Sequence, residues 1–154
     1  MFKHRHLLRV QRPAAEFQAL VAAVRQAGGR VGWLELQPEG QPTLQPVPER
    51  LRSAADLGVL RAVAVGGGET VVVKPMRGPA VLRDLLREHF RGCALVLVTG
   101  TSPDGDEVDP LLEPDSEAWG LHFSSGTTRR HTTEDLVAAL RRPEPFSDGV
   151  SRGR

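Results

Sequence analysis

The chain has 154 residues, of which 40% are hydrophobic and 25% charged, with a formal net charge of +1. These values suit one ordinary globular core and exclude wholesale disorder, a collagen-like repeat and the strongly basic balance of a general nucleic-acid binder. The lone Cys93 excludes an internal disulfide, no apolar run approaches the ~20 residues of a membrane span, and MFKHRH lacks a signal-peptide core, so a cytoplasmic protein without membrane contact is expected.

Charge is unevenly spread along this near-neutral chain. Met1 to Pro13 holds Lys3, Arg5, Arg9 and Arg12 with no acid. Thr101 to Ala118 holds Asp104, Asp106, Glu107, Asp109, Glu113, Asp115 and Glu117 with no base. All but Lys3 and Lys74 of the 20 basic residues are arginine, which keeps bidentate contacts to phosphate or carboxylate available, although base composition explains such usage equally well.

In chain order, His6 to Gln11 reads as a short strand and Pro13 as a helix opener, followed by Phe17, Leu20, Val21 and Val24 at helical spacing and an exit through Gly28-Gly29. Arg30 to Gln37 alternates Val31 and Trp33 with Gly32, Leu34 and Leu36, the pattern of a strand covered on both faces. Pro38 to Pro48, with four prolines, is a surface loop, and Pro48-Glu49 starts a helix that Gly58 closes. Leu60 to Val65 and Thr70 to Lys74 flank Gly66-Gly67-Gly68-Glu69, a hairpin signal. Gly78-Pro79 opens a helix, Pro79 to Arg91, whose Val81, Leu82, Leu85, Leu86 and Phe90 face inward, and Cys93 to Thr99 is a buried strand. Gly100 to Ser116 reads as an acidic loop, Trp119 to Phe123 as a strand, and Thr132 or Thr133 as the cap of a last helix through Leu140.

This order predicts a single α/β (α+β) domain over residues 1–142 with a frayed tail over 143–154. Its sheet is expected to be mixed, with about five or six strands around a central β-hairpin and about four helices. A ferredoxin-like split βαβ core is the competing topology.

For chemistry, the strongest candidate is Val73 to Pro79, where a strand ends in Lys74 and a short loop through Arg77 and Gly78 meets a helix start, the place where free N–H groups and the helix dipole favour an anion. Phe123-Ser124-Ser125-Gly126-Thr127-Thr128 is similar over six residues to the phosphate loop of adenylate-forming enzymes. The Gly and Lys that follow in that family are Arg129, Arg130 and His131 here, and 154 residues do not hold that family's catalytic body, so the likeness is set aside. Ser125, Thr127, Arg129 and Arg130 stay as anion-binding candidates if the two loops open on one sheet edge.

Gly66-Gly67-Gly68 joins two strands and is neither a P-loop nor a dinucleotide fingerprint. Arg83, Arg87 and Arg91 share a helix side but alternate with Asp84 and Glu88, the mark of a solvated face. Asp104 to Asp109 lacks EF-hand spacing, and His4 and His6 read as surface histidines without a third ligand, so no metal is expected. Cys93 opens an apolar strand where a thiol is inert packing.

No catalytic constellation is complete, which favours a non-catalytic binding or assembly domain for an anionic, phosphate-containing small molecule, nucleic acid or partner, without a cofactor. The alternatives are a small transferase or hydrolase for a phosphorylated substrate, with His122 or His131 as general base, and a purely structural homo-oligomer subunit.

Overall fold

A computed structural model of the chain describes residues 1–37, 46–76, 78, 80–100 and 107–147. Strand β1 (His6–Arg9) alternates buried and half-buried residues. Pro13, at φ −57°, starts a 3₁₀ turn over Ala14–Phe17 that leads into α1 (Gln18–Gln26). The order continues with β2 (Val31–Glu35), α2 (Glu49–Asp56), β3 (Ala62–Gly66), β4 (Glu69–Val73), α3 (Leu82–His89), β5 (Leu95–Thr99), β6 (Leu111–Asp115), β7 (Ala118–His122), β8 (Thr128–His131) and α4 (Thr133–Ala139). None of these helices is long and apolar enough to cross a membrane.

The chain divides into two compact units, Met1–Pro38 with Val81–Arg154, and Glu39–Ala80. The first is built on a six-stranded sheet in the order β2-β5-β1-β6-β7-β8. Strands β2, β5, β1 and β6 run parallel, and β6, β7 and β8 form an antiparallel meander. Because side chains alternate across a strand, the parallel strands bury both of their faces. On one face Leu8, Leu95, Leu97 and Leu121 pack against Phe17, Leu20 and Val24 from the α1 side and Leu136, Val137 and Leu140 from the α4 side, with Phe17 stacked on Trp119 at 5.9 Å. On the other, Val96, Val98, Leu7 and Leu34 meet Leu82, Leu86 and Phe90 at α3. Arg5 ties the start of β1 to α3 by donating to the Leu86 carbonyl (3.0 Å), which also accepts from the Phe90 amide (3.1 Å).

The mixed α/β class is the expected one, but its antiparallel part comes from an unexpected place. Residues expected as acidic loop form β6, because pairing Leu112 with Leu121 and Leu111 with His122 buries both leucines. The polar run Thr128–His131, none of it buried, forms β8 through its ladder to β7. The Gly-turned hairpin pairs as its sequence requires, Val65 with Thr70 and Gly66 with Glu69. It stands as a two-stranded sheet of its own, however, in the second unit beside α2. With four neighbouring parallel strands, the split βαβ alternative is not adopted.

Helix α3 begins at Leu82 instead of Pro79, since Val81 is still extended (φ −115°, ψ 121°). Near the end of the described residues Phe146 sits edge-on against the His6 ring, 5.8 Å away, and packs against the core of the first unit. Arg77, Pro79 and stretches 38–45, 101–106 and 148–154 lie outside the described residues, and with them part of the Pro-rich loop, the acidic loop and the tail.

Candidate functional site

The expected anion-binding residues fall into three places. Lys74 follows β4, and Gly78 (φ 81°) lies in the second unit several residues ahead of the α3 start; Arg77 lies outside the described residues. In the first unit, the Ser124–Thr127 turn spends its donors on the protein. Asp109 accepts from the Ser124 amide (2.9 Å) and hydroxyl (3.1 Å), while the Phe123 amide donates to the Thr127 carbonyl (2.8 Å) and the Gly126 amide to the Phe123 carbonyl (2.9 Å). Ser125 and Thr127 bond to each other through their hydroxyls (3.3 Å). Arg129 and Arg130 are consecutive on β8, so they leave on opposite faces: the Arg129 guanidinium lies over the Phe123 ring at 5.2 Å, and Arg130 pairs with Asp115 at 3.4 Å.

His122 and His131 also divide between the two faces of the meander, since His122 pairs with Thr128 and His131 with Trp119. His122 Nε2 is 3.4 Å from Glu113 Oε2, and its Nδ1 is 3.3 Å from the Thr128 hydroxyl. That is a carboxylate, imidazole and hydroxyl in series, the order of groups that activates a nucleophile. Both members of the ion pair are about two-fifths exposed, so the pair is worth only about 0–1 kcal/mol and holds the ring loosely. The array is a cross-strand polar network on an exposed face of the meander.

A half-open cleft lies at the carboxyl ends of the parallel strands. Strand β1 leaves toward the α1 face, where Phe17 packs, while the chain after β5 arrives at Val108 on the α3 face. Adjacent strands whose connections depart to opposite faces leave a crevice between them, the usual ligand position in open α/β sheets. Here that crevice is a cleft of about 560 Å³ bordered by Arg9, Arg12, Trp33, Glu35, Thr99 and Glu107 among others. Its floor depends on Gly100, at φ 84°, where a Cβ would run into the Leu36 carbonyl oxygen; only glycine allows β5 and β2 to leave the sheet so close together.

The cleft's polar groups are positioned by short bonds. Arg9 is largely buried; its Nε donates to the Val108 carbonyl (3.1 Å), and Nη2 lies 3.8 Å from Glu107. The Trp33 indole N–H donates to Glu35 (3.1 Å), which fixes the ring as a wall. Arg12 is exposed and has no hydrogen bond or ion pair with another described residue. Sequence reasoning named Arg9 and Arg12 only as part of a basic segment; the local signal was their place at the carboxyl end of the first strand.

His6, read from sequence as a surface residue, is buried at 7% exposure and its Nε2–H donates to the Leu140 carbonyl (3.0 Å). Burial pushes its pKa below the ordinary imidazole value, with nearby His4 acting in the same sense and the backbone acceptors against it. In comparisons with known proteins, no protein-family model matches the chain and no curated protein is detectably similar to it.

Proposed function

We propose that this chain is a non-catalytic binding domain that takes an anionic, phosphate-containing small molecule in the cleft at the carboxyl ends of β1, β2 and β5. The observation that carries this reading is that Arg9 and Arg12, at the exit of β1, border the same cleft as Trp33. Arg12 offers a guanidinium with no acid of its own among the described residues. Arg9 is only loosely held by Glu107, whose side chain is more than half exposed. A surface ion pair of that kind contributes about 0–1 kcal/mol, whereas charge-assisted hydrogen bonds to a phosphate are worth roughly 1.5–3 kcal/mol each. A phosphate therefore competes well for Arg9. A planar or apolar portion of the same ligand finds its contact on Trp33.

The two tryptophans make the test direct, because Trp33 borders the cleft and Trp119 is buried against Phe17. Titration with inorganic phosphate and with nucleoside triphosphates is expected to change Trp33 emission saturably, and the change should vanish in Trp33→Phe. Arg12→Ala should weaken binding about tenfold, the loss of one charge-assisted contact. Calorimetry showing the same affinity in wild type, Arg9→Ala and Arg12→Ala refutes the cleft. Abolition by Lys74→Ala with Arg77→Ala instead moves the ligand to the loop after β4.

A further inference from the structure

Strand β2 is an edge of the six-stranded sheet and pairs with β5 alone among the described residues. The Arg30 carbonyl accepts from the Ala94 amide (2.9 Å), and the Leu36 amide donates to the Thr99 carbonyl (3.0 Å). Even-numbered residues of β2 thus turn their backbone groups toward β5, and Val31, Trp33 and Glu35 turn theirs outward. Natural sheets blunt such edges with lysine, proline, bulges or inward charges. The far edge, β8, follows that rule with consecutive arginines, whereas β2 reads Val-Gly-Trp-Leu-Glu in unbroken register. Beside this edge runs a groove of about 520 Å³ between β2 and α1, lined by Phe17, Val21, Ala22, Arg25, Val31 and Trp33 among others.

We infer that the β2 edge and its groove are the interface for a second copy of this chain, joined antiparallel across a two-fold axis through Trp33. Centring on Trp33 uses every outward-turned residue: Trp33 faces Trp33, and Val31 faces Glu35 of the other copy. Centring on Gly32 would use only Val31 and Trp33. Directly opposed residues in an antiparallel pair lie on the same face, so Glu35 of one copy arrives beside Val31 at the end of the groove where Arg25 of the other stands. The symmetry repeats this charge match twice, and the two indoles fill the grooves between them. A self-complementary patch of this kind is what a two-fold interface requires.

The experiment is light scattering on the full chain without ligand, which separates it from the cleft test. Wild type is expected at twice the 16.8 kDa chain mass at about 100 µM. Val31→Pro removes an outward donor without touching the β5 ladder and should leave a monomer. Arg25→Glu should do the same, and Arg25→Glu with Glu35→Arg should restore the dimer, so the charge swap decides if the proline variant does not fold. A chain that stays at 16.8 kDa up to about 1 mM overturns the inference. A dimer that persists in Val31→Pro and Arg25→Glu also overturns it, as does a monomer whose β2 amides become protected only when an extended apolar peptide is added.

Discussion

His6 shows how much a single position depends on what lies far from it in the chain. Its ring is enclosed by Phe146 and bonded to Leu140, more than a hundred residues away. The folded chain therefore protonates His6 less readily than the unfolded chain, in which the imidazole titrates near 6.5. Above that value both states carry a neutral ring and the contribution is constant. As pH falls below it the unfolded state takes up the proton first, and stability drops until the lowered folded value is passed. The slope attributable to one such group is at most about 1.4 kcal/mol per pH unit. In urea unfolding between pH 7 and pH 5, His6→Gln should lose less stability than wild type, because glutamine can donate to Leu140 without titrating. Parallel pH profiles for the two proteins would show that the buried ring does not carry the acid sensitivity.

Among the elements, α4 has the clearest local instruction. Thr132 accepts from the Asp135 amide (3.1 Å) and the Thr132 amide donates to the Asp135 carboxylate (3.5 Å), a reciprocal cap on the helix that carries Leu136 and Val137 into the core. Thr132→Ala should cost about 1 kcal/mol in urea unfolding, and a cost near zero would mean packing alone sets this helix. Elements of this kind were legible in the sequence: α1 through its apolar spacing, β5 through Leu95 to Val98, the hairpin through its glycines. Strands β6 and β8 were not, since Leu-Leu-Glu-Pro-Asp and Thr-Arg-Arg-His carry acids, a proline or arginines, and only the ladders to β7 make them strands. The cleft was hidden for a related reason. It exists because β5 inserts between β1 and β2 and because Glu107 returns to Arg9, and neither long-range choice leaves a periodic mark. Likewise the Ser124–Thr127 turn looks like an anion loop until Asp109, fifteen positions earlier, takes up its donors.

At the scale of the whole molecule, apolar burial is divided very unequally between the two units. The parallel strands of the six-stranded sheet are packed on both faces, and Leu8, Leu95, Leu97, Leu112 and Leu121 of the sheet are essentially inaccessible. Within Glu39–Ala80, the buried apolar side chains among the described residues are Leu51 and Ala62, while Val63, Val65 and Val72 on the outer face of the hairpin are exposed, Val65 at 79%. A two-stranded hairpin with so little cover is marginal in water. The unit is also one continuous stretch of chain between β2 and α3, so its opening removes no strand from the larger sheet. Amides of Ala62–Val73 should thus exchange through a sub-global opening, and those of Leu95–Thr99 only through global unfolding. Hydrogen exchange followed by mass spectrometry should find the hairpin at least about 100-fold faster than β5. Equal protection in the two segments would mean that the hairpin and the sheet unfold as one cooperative body, with stability supplied to the hairpin from outside its own small core.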